Sequence, residues 1–69
     1  MRIISQNREI SIDEFNYTIS VSEKLILAMH YGIPNIVLGE YSTKQRAMEV
    51  FDELHAAYEE SIVFRMPKE

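Results

Sequence analysis

One stretch, residues 42–61, constrains the fold more than any other because its apolar side chains recur at helical spacing. Side chains that recur at steps of three and four residues lie on one stripe of a helix. The apolar residues that recur in this way are Ala47, Val50, Phe51, Leu54, Tyr58 and Ile62. Ser42 and Gln45 match a capping box, in which the serine accepts from free amides of the first turn and the glutamine reaches back. The pattern therefore predicts an amphipathic helix over residues 42–61.

The rest of the chain has to supply the surface that this helix covers, because one helix with one apolar stripe is not stable alone in water. Ile3 and Ile4 are β-branched and predict a strand that begins near the first residue. Residues 9–12 fit either a second short strand or an ordered connection. Residues 15–22 alternate clearly between apolar and polar side chains and predict a half-buried antiparallel strand.

A further strand is predicted over residues 25–31, after a tight hairpin at residues 22–24. The two faces of this strand would carry, respectively, Leu25, Leu27, Met29 and Tyr31, and Ile26, Ala28 and His30. Because both faces are apolar, the strand is expected to lie in the centre of a sheet, or to contact another molecule with its second face.

The best turn signal lies at residues 32–35. Pro34 presets the backbone angle φ of the second turn position, and Asn35 tolerates the backbone conformation of the third. Residues 36–41 then return as the third strand of a meander, and Gly39 allows a bulge or a close backbone approach.

Residues 62–66 fit an edge strand, or a strand that swaps onto a second subunit. The expectation is one α+β domain over residues 1–69: an antiparallel sheet within residues 1–41, made of the meander and an N-terminal strand, packed against one amphipathic helix.

The amino-acid composition narrows the range of functions that the protein can have. The 69 residues include no cysteine, which excludes disulfides, iron–sulfur clusters and thiolate zinc sites. A domain this small buries only about 60% of the surface of its unfolded chain, so self-association as a homodimer is the expected extra source of stability.

The net charge of −4 argues against direct binding to nucleic acid or to anionic membranes. No apolar run reaches the ~20 residues of a membrane span, and the N-terminus does not resemble a signal peptide, so a cytoplasmic protein is predicted.

Catalytic chemistry has little support in the residue pattern. A catalytic site needs a nucleophile, a base and a group that orients them, and the two histidines, His30 and His55, are not part of such a set. His30 lies on an apolar strand and fits a sheet-face histidine with a satisfied ring. His55 and Glu59 are four residues apart and fit an ordinary helix contact better than a metal site. The prediction is therefore no enzyme, no metal and no cofactor.

Acidic side chains concentrate on the predicted helix, outside its apolar stripe. The predicted partner-binding residues are Glu49, Asp52, Glu53, Glu60 and Met48. The carboxylates would attract a basic protein partner, and Met48 would form a weaker apolar patch such as a dimer contact. The alternative is an oligomer that sequesters a nucleotide or another anionic ligand between subunits. Its site would consist of Arg46 and Lys44, near the free amides of the helix N-terminus, together with Tyr41.

Two pieces of the chain carry a resemblance. Residues 1–6 read MRIISQ, and residues 38–43 read LGEYST ahead of Ala47 and Val50. Both resemble small proteins from phages and prophage regions of Gram-positive bacteria, which begin with MRIISQ and place a Gly/Ala-Glu-Tyr-Ser strand end before an amphipathic helix. The resemblance implies an accessory protein of a mobile element, and such proteins often bind and block a host protein. The expected function is thus non-enzymatic protein binding in the host cytoplasm, most concretely anti-CRISPR-like inhibition of a host defence protein.

Overall fold

The computed structural model describes residues 1–60 and 62–69. This part of the chain contains six strands and one helix, in the order β1 Arg2–Ile4, β2 Ser11–Asp13, β3 Thr18–Ser22, β4 Leu25–His30, β5 Ile33–Glu40, α1 Lys44–Ala57 and β6 Val63–Arg65. A 3-10 turn, Glu14–Asn16, connects β2 to β3. The α+β class that the sequence predicts is confirmed.

The strands form two sheets of three, rather than one continuous sheet. β3, β4 and β5 make the predicted antiparallel meander in chain order. In the second sheet β1 lies in the centre, antiparallel to β2 and parallel to β6. The C-terminal segment is therefore an edge strand over Val63–Arg65, and it pairs with the beginning of the same chain.

The meander begins later than the alternation of residues 15–22 predicts. Asp13 accepts a hydrogen bond from the amide of Phe15 at 3.2 Å and starts the 3-10 turn, so regular strand structure begins only at Thr18. Phe15 is consequently 83% exposed and does not belong to the apolar face of β3. Ile19 and Val21 do belong to that face, and both pack against the core.

The predicted turn at residues 32–35 is displaced toward the N-terminus, to Tyr31 and Gly32. Gly32 has a φ of 76°, a left-handed conformation that glycine adopts without steric penalty. Pro34 lies inside β5, opposite a stretch of irregular register between Ala28 and His30. β5 is an edge strand, so it tolerates a residue that has no amide hydrogen to donate.

Gly39 permits the close approach that the sequence predicts, and the approaching group is the ring of Tyr41. A Cβ atom at Gly39 would lie 2.9 Å from Cε2 of Tyr41, closer than carbon atoms pack. The register of β5 against β4 also shifts here, because Ile26 pairs with Gly39 while Leu27 pairs with Val37. The glycine therefore lets the strand bend and the tyrosine ring cover it just before the helix.

The helix is shorter than predicted and is capped one residue later. Thr43 is the N-cap: its hydroxyl oxygen accepts from the amide of Arg46 at 3.0 Å. Ser42, the predicted cap, instead donates its amide to the Glu69 carboxylate at 3.2 Å. The helix ends at Ala57, so residues 58–60 are not part of it, in contrast to the prediction. Residue 61, the last position of the predicted helix, lies outside the described residues.

The apolar stripe of the helix is correct in its first four positions only. Ala47, Val50 and Leu54 are buried, and Phe51 packs against them from a half-buried position. The last two predicted positions, Tyr58 and Ile62, are 53% and 85% exposed because they lie beyond the helix.

Both sheets and the helix contribute to one core. Its buried members are Ile3, Ile12, Ile26, Ala28, Leu38, Tyr41, Ala47, Val50, Leu54 and Met66. The helix covers the face of β3 and β4 that carries Ile26 and Ala28, which leaves the other face of the meander uncovered by it. Among the described residues, no helix is long and apolar enough to cross a membrane.

Candidate protein-binding surfaces

The predicted partner-binding residues all lie at the surface. Glu49, Asp52, Glu53 and Met48 belong to α1, and Glu60 lies in the turn that follows it. We call the four carboxylates the acidic face. Each of them is exposed, and the side chain of Met48 is 44% exposed. The acidic face is therefore carried mainly by a rigid element whose opposite side is packed into the core.

One cation organises part of the acidic face. The Nη1 atom of Arg46 lies 3.3 Å from Oε1 of Glu49 and 3.0 Å from Oε2 of Glu53. Its Nη2 atom donates to the main-chain oxygen of Glu69 at 2.8 Å. In the described chain, Asp52 and Glu60 have no cation within ion-pair distance. Arg46 thus neutralises only part of the negative charge of this face and holds two of its carboxylates in place.

The three residues of the alternative anion site do not form an open binding site. Arg46 already binds two carboxylates, and Tyr41 is only 2% exposed. The Tyr41 hydroxyl donates to the carbonyl oxygen of Pro67 at 2.8 Å, and burial raises the pKa of this hydroxyl to about 12. Lys44 remains exposed in the first turn of the helix. Two of the three residues are therefore engaged within the protein.

Both histidines have intramolecular partners. Nδ1 of His55 lies 2.9 Å from the carbonyl oxygen of Phe51, one helical turn earlier, and the two rings meet edge to face at 4.3 Å. His30 stacks at a tilt against Tyr17, with ring centroids 5.4 Å apart. Among the described residues, no group of three or more potential ligands could hold a metal ion.

A small cavity of about 40 Å³ lies beside the C-terminal end of the helix. Its lining consists of Met1, Ile3, Glu14, Ile19, Leu54, His55 and Tyr58. The buried Glu14 carboxylate accepts from the Met1 amino group at 3.1 Å and raises the pKa of the Tyr58 hydroxyl. The cavity has room for a few water molecules and is far below the ~300 Å³ of a typical small-molecule site.

The surface that sequence reasoning did not place is the uncovered face of the meander. Four apolar side chains, which we call the outer row, lie on it: Leu25, Leu27, Met29 and Val37. Leu27 is at its centre, paired with Ser20 of β3 on one side and Val37 of β5 on the other. None of the four packs against the buried core of the described chain. The two-sided apolar pattern of residues 25–31 was the available signal, but only the topology shows which side the helix covers.

Comparisons with protein-family models, with curated proteins and with solved structures find no match to this chain. The two surfaces are therefore interpreted from their own geometry and charge.

Proposed function

We propose that the protein is a non-enzymatic binding protein that acts by contact with a basic protein partner. The acidic face carries this proposal: three of its exposed carboxylates lie on α1 and the fourth in the turn after it, and one guanidinium pairs with two of them. In the phage or prophage setting implied by the resemblance of the MRIISQ and GEYS segments, the most concrete form is inhibition of a host defence protein, in the manner of an anti-CRISPR protein.

The geometry of the acidic face suits recognition of a protein in two ways. Arg46 holds Glu49 and Glu53 in fixed positions, which lowers the entropy that these side chains lose on binding. Asp52 remains exposed without an ion pair in the described chain, so a lysine or arginine of a partner gains a contact without displacing one. A surface potential of one sign also accelerates encounter with a partner of the opposite sign.

Charge reversal of Glu49 and Asp52 to lysine tests the proposal. We expect the double variant to lose most of its affinity for the partner, because it replaces two attractive charges with repulsive ones. The melting temperature should change little, because exposed ion pairs contribute only about 0–1 kcal/mol. The matched control is Glu23→Lys, which makes the same kind of change in the turn between β3 and β4.

Native mass spectrometry of protein purified gently from a bacterial lysate supplies the readout. A complex with a host protein that persists in Glu23→Lys and disappears in the double variant supports the proposal. A complex that the double variant retains at full strength rules out the acidic face. An added mass of a few hundred daltons per subunit, with no protein attached, would overturn protein binding in favour of small-ligand capture.

A further inference from the structure

We propose that the outer row is the interface of a homodimer in which two copies stack their meanders face to face. Leu25, Leu27 and Met29 lie on the central strand of this face, β4, and Val37 extends the apolar row onto the edge strand β5. Val37 is 48% exposed, although valine is more often buried. A second copy would bury on each chain the same apolar side chains that water now contacts.

The polar composition of this face favours a second copy as its occupant. By the strand pairing, the β3 positions on the same face are Thr18, Ser20 and Ser22, all uncharged. A basic or acidic partner would therefore find no opposite charge at the centre of the face. Uncharged small side chains around an apolar row are self-complementary, as an interface related by a twofold axis requires.

One charged residue, Glu40, shares the face at a corner, where it pairs with Leu25. A twofold axis that passes near Leu27 and runs across the strands, midway between the two sheets, keeps these charges apart. It places the Leu25 end of one copy over the Met29 end of the other, so the two Glu40 carboxylates lie at opposite ends of the interface. They do not face each other, and both remain at the rim in contact with water.

The net charge of −4 also selects this face over the helix. Packed layers are spaced by about 10 Å, so two meanders face to face keep their helices roughly 30 Å apart, beyond the ~8 Å screening length of physiological salt. A dimer through Met48 would instead bring together its neighbours Glu49 and Asp52 from both copies. The sheet face is thus where two acidic copies meet with least repulsion.

The size of the face predicts a weak dimer. Three strands at about 4.8 Å spacing and six residues at about 3.4 Å rise cover roughly 15 by 20 Å. Tyr31, two residues after Met29 and 97% exposed, adds aromatic surface at one end of the strand. This area falls below the ~800 Å² per partner of a standard stable interface. We therefore expect a weak dimer that dissociates on dilution.

Cysteine cross-linking tests the arrangement directly, because the chain has no cysteine of its own. Leu27→Cys places one thiol on each copy near the proposed axis. Sheets that pack face to face lie about 10 Å apart, too far for a direct disulfide but within reach of a bis-maleimide about 10 Å long. We expect rapid formation of covalent dimer in purified Leu27→Cys and little in the control, Met48→Cys. Efficient cross-linking of Met48→Cys instead would overturn the proposal.

Sedimentation equilibrium of purified variants gives the second measurement. Val37→Glu should raise the dimer dissociation constant by at least tenfold, because it places two carboxylates in the interface, whereas Met48→Glu should leave it within about twofold. Val37 is on an edge strand and half exposed, so its substitution is compatible with folding, which circular dichroism checks. A wild-type protein that is monomeric at about 1 mM, or a dimer that Val37→Glu leaves intact, contradicts the proposal.

This inference is independent of the proposed function. The double variant Glu49→Lys, Asp52→Lys should dimerise as the wild type does, and Val37→Glu should still bind the basic partner. If both proposals hold, each dimer presents two acidic faces directed away from each other. It would then bind two partner molecules, or two basic sites on one large partner with increased avidity.

Discussion

Tyr41 connects three parts of the molecule through a single side chain. Its ring lies over Gly39, and its hydroxyl donates to the carbonyl oxygen of Pro67 at 2.8 Å. Its amide donates to the carbonyl oxygen of Lys24 in the β3–β4 turn. This residue, two positions before the helix cap, therefore contacts the meander and the C-terminal segment together. A tyrosine in a GEYS segment thus acts in this protein as a packing residue with a satisfied hydroxyl.

Alkaline pH should destabilise the protein through Tyr41. Burial raises the pKa of its hydroxyl from 10.0 to about 12, so the folded state holds this proton more tightly than the unfolded chain does. The stabilisation is complete below pH 10 and is lost as the pH rises through 12. Between about pH 9 and pH 11 the free energy of unfolding should fall by about 1 kcal/mol from this group.

Urea unfolding at both pH values measures the effect. Tyr41→Phe should be less stable than the wild type at pH 9 by about 1 kcal/mol, through loss of the hydrogen bond to Pro67, and should lack this part of the alkaline loss. Tyr31→Phe is the control, because it makes the same substitution at a side chain that is 97% exposed. Equal pH dependence in wild type and Tyr41→Phe would contradict the assignment.

At the level of the helix, the N-cap gives a discriminating prediction. Thr43→Ala removes the acceptor of the Arg46 amide and should lower the free energy of unfolding by about 1 kcal/mol. Ser42→Ala, one residue earlier, should lower it by less than about 0.5 kcal/mol, because Ser42 does not cap the helix. Thermal unfolding followed by circular dichroism compares the two variants. A larger loss for Ser42→Ala would restore the capping box inferred from the sequence.

The elements show where sequence patterns suffice. The alternation of residues 18–22 and the spacing of Ala47, Val50 and Leu54 record local periodicity, and both predict the correct element type. The choice between Ser42 and Thr43 as cap is different, because either hydroxyl can accept a hydrogen bond from a free amide of the first turn. Ser42 is held by Glu69, 27 residues away, and no local pattern contains that contact.

The same limit applies to the turn and to the candidate surfaces. Pro34 is a strong turn signal, yet pairing of Ile33 with His30 draws it into β5. The acidic face was predicted because charge on a helix is read directly from the spacing of the residues. The outer row was not located, because residues 25–31 are apolar on both sides. Only the position of the helix decides which side remains open.

At the scale of the whole molecule, the two ends of the chain form one sheet. β1 and β6 pair in parallel with Ile3 opposite Phe64, and the amide of Met66 donates to the carbonyl oxygen of Ile4 at 2.9 Å. The Gln6 side chain donates to the carbonyl oxygens of both Lys68 and Glu40. The second sheet therefore requires contacts between residues more than 50 positions apart, which loop closure makes costly in entropy.

Met66 should consequently be critical for folding although it lies close to the C-terminus. It is fully buried in the shared core, and Met66→Ala should lower the free energy of unfolding by about 2–5 kcal/mol. A domain of this size has little stability in excess of that amount, so much of the variant should be unfolded at 37 °C. Met48→Ala, at a half-exposed position on the helix, should lower it by less than about 1 kcal/mol. Urea unfolding of both variants, at one low protein concentration so that association does not contribute, makes the comparison. Equal losses for the two methionines would show that the C-terminal strand is not part of the cooperative core.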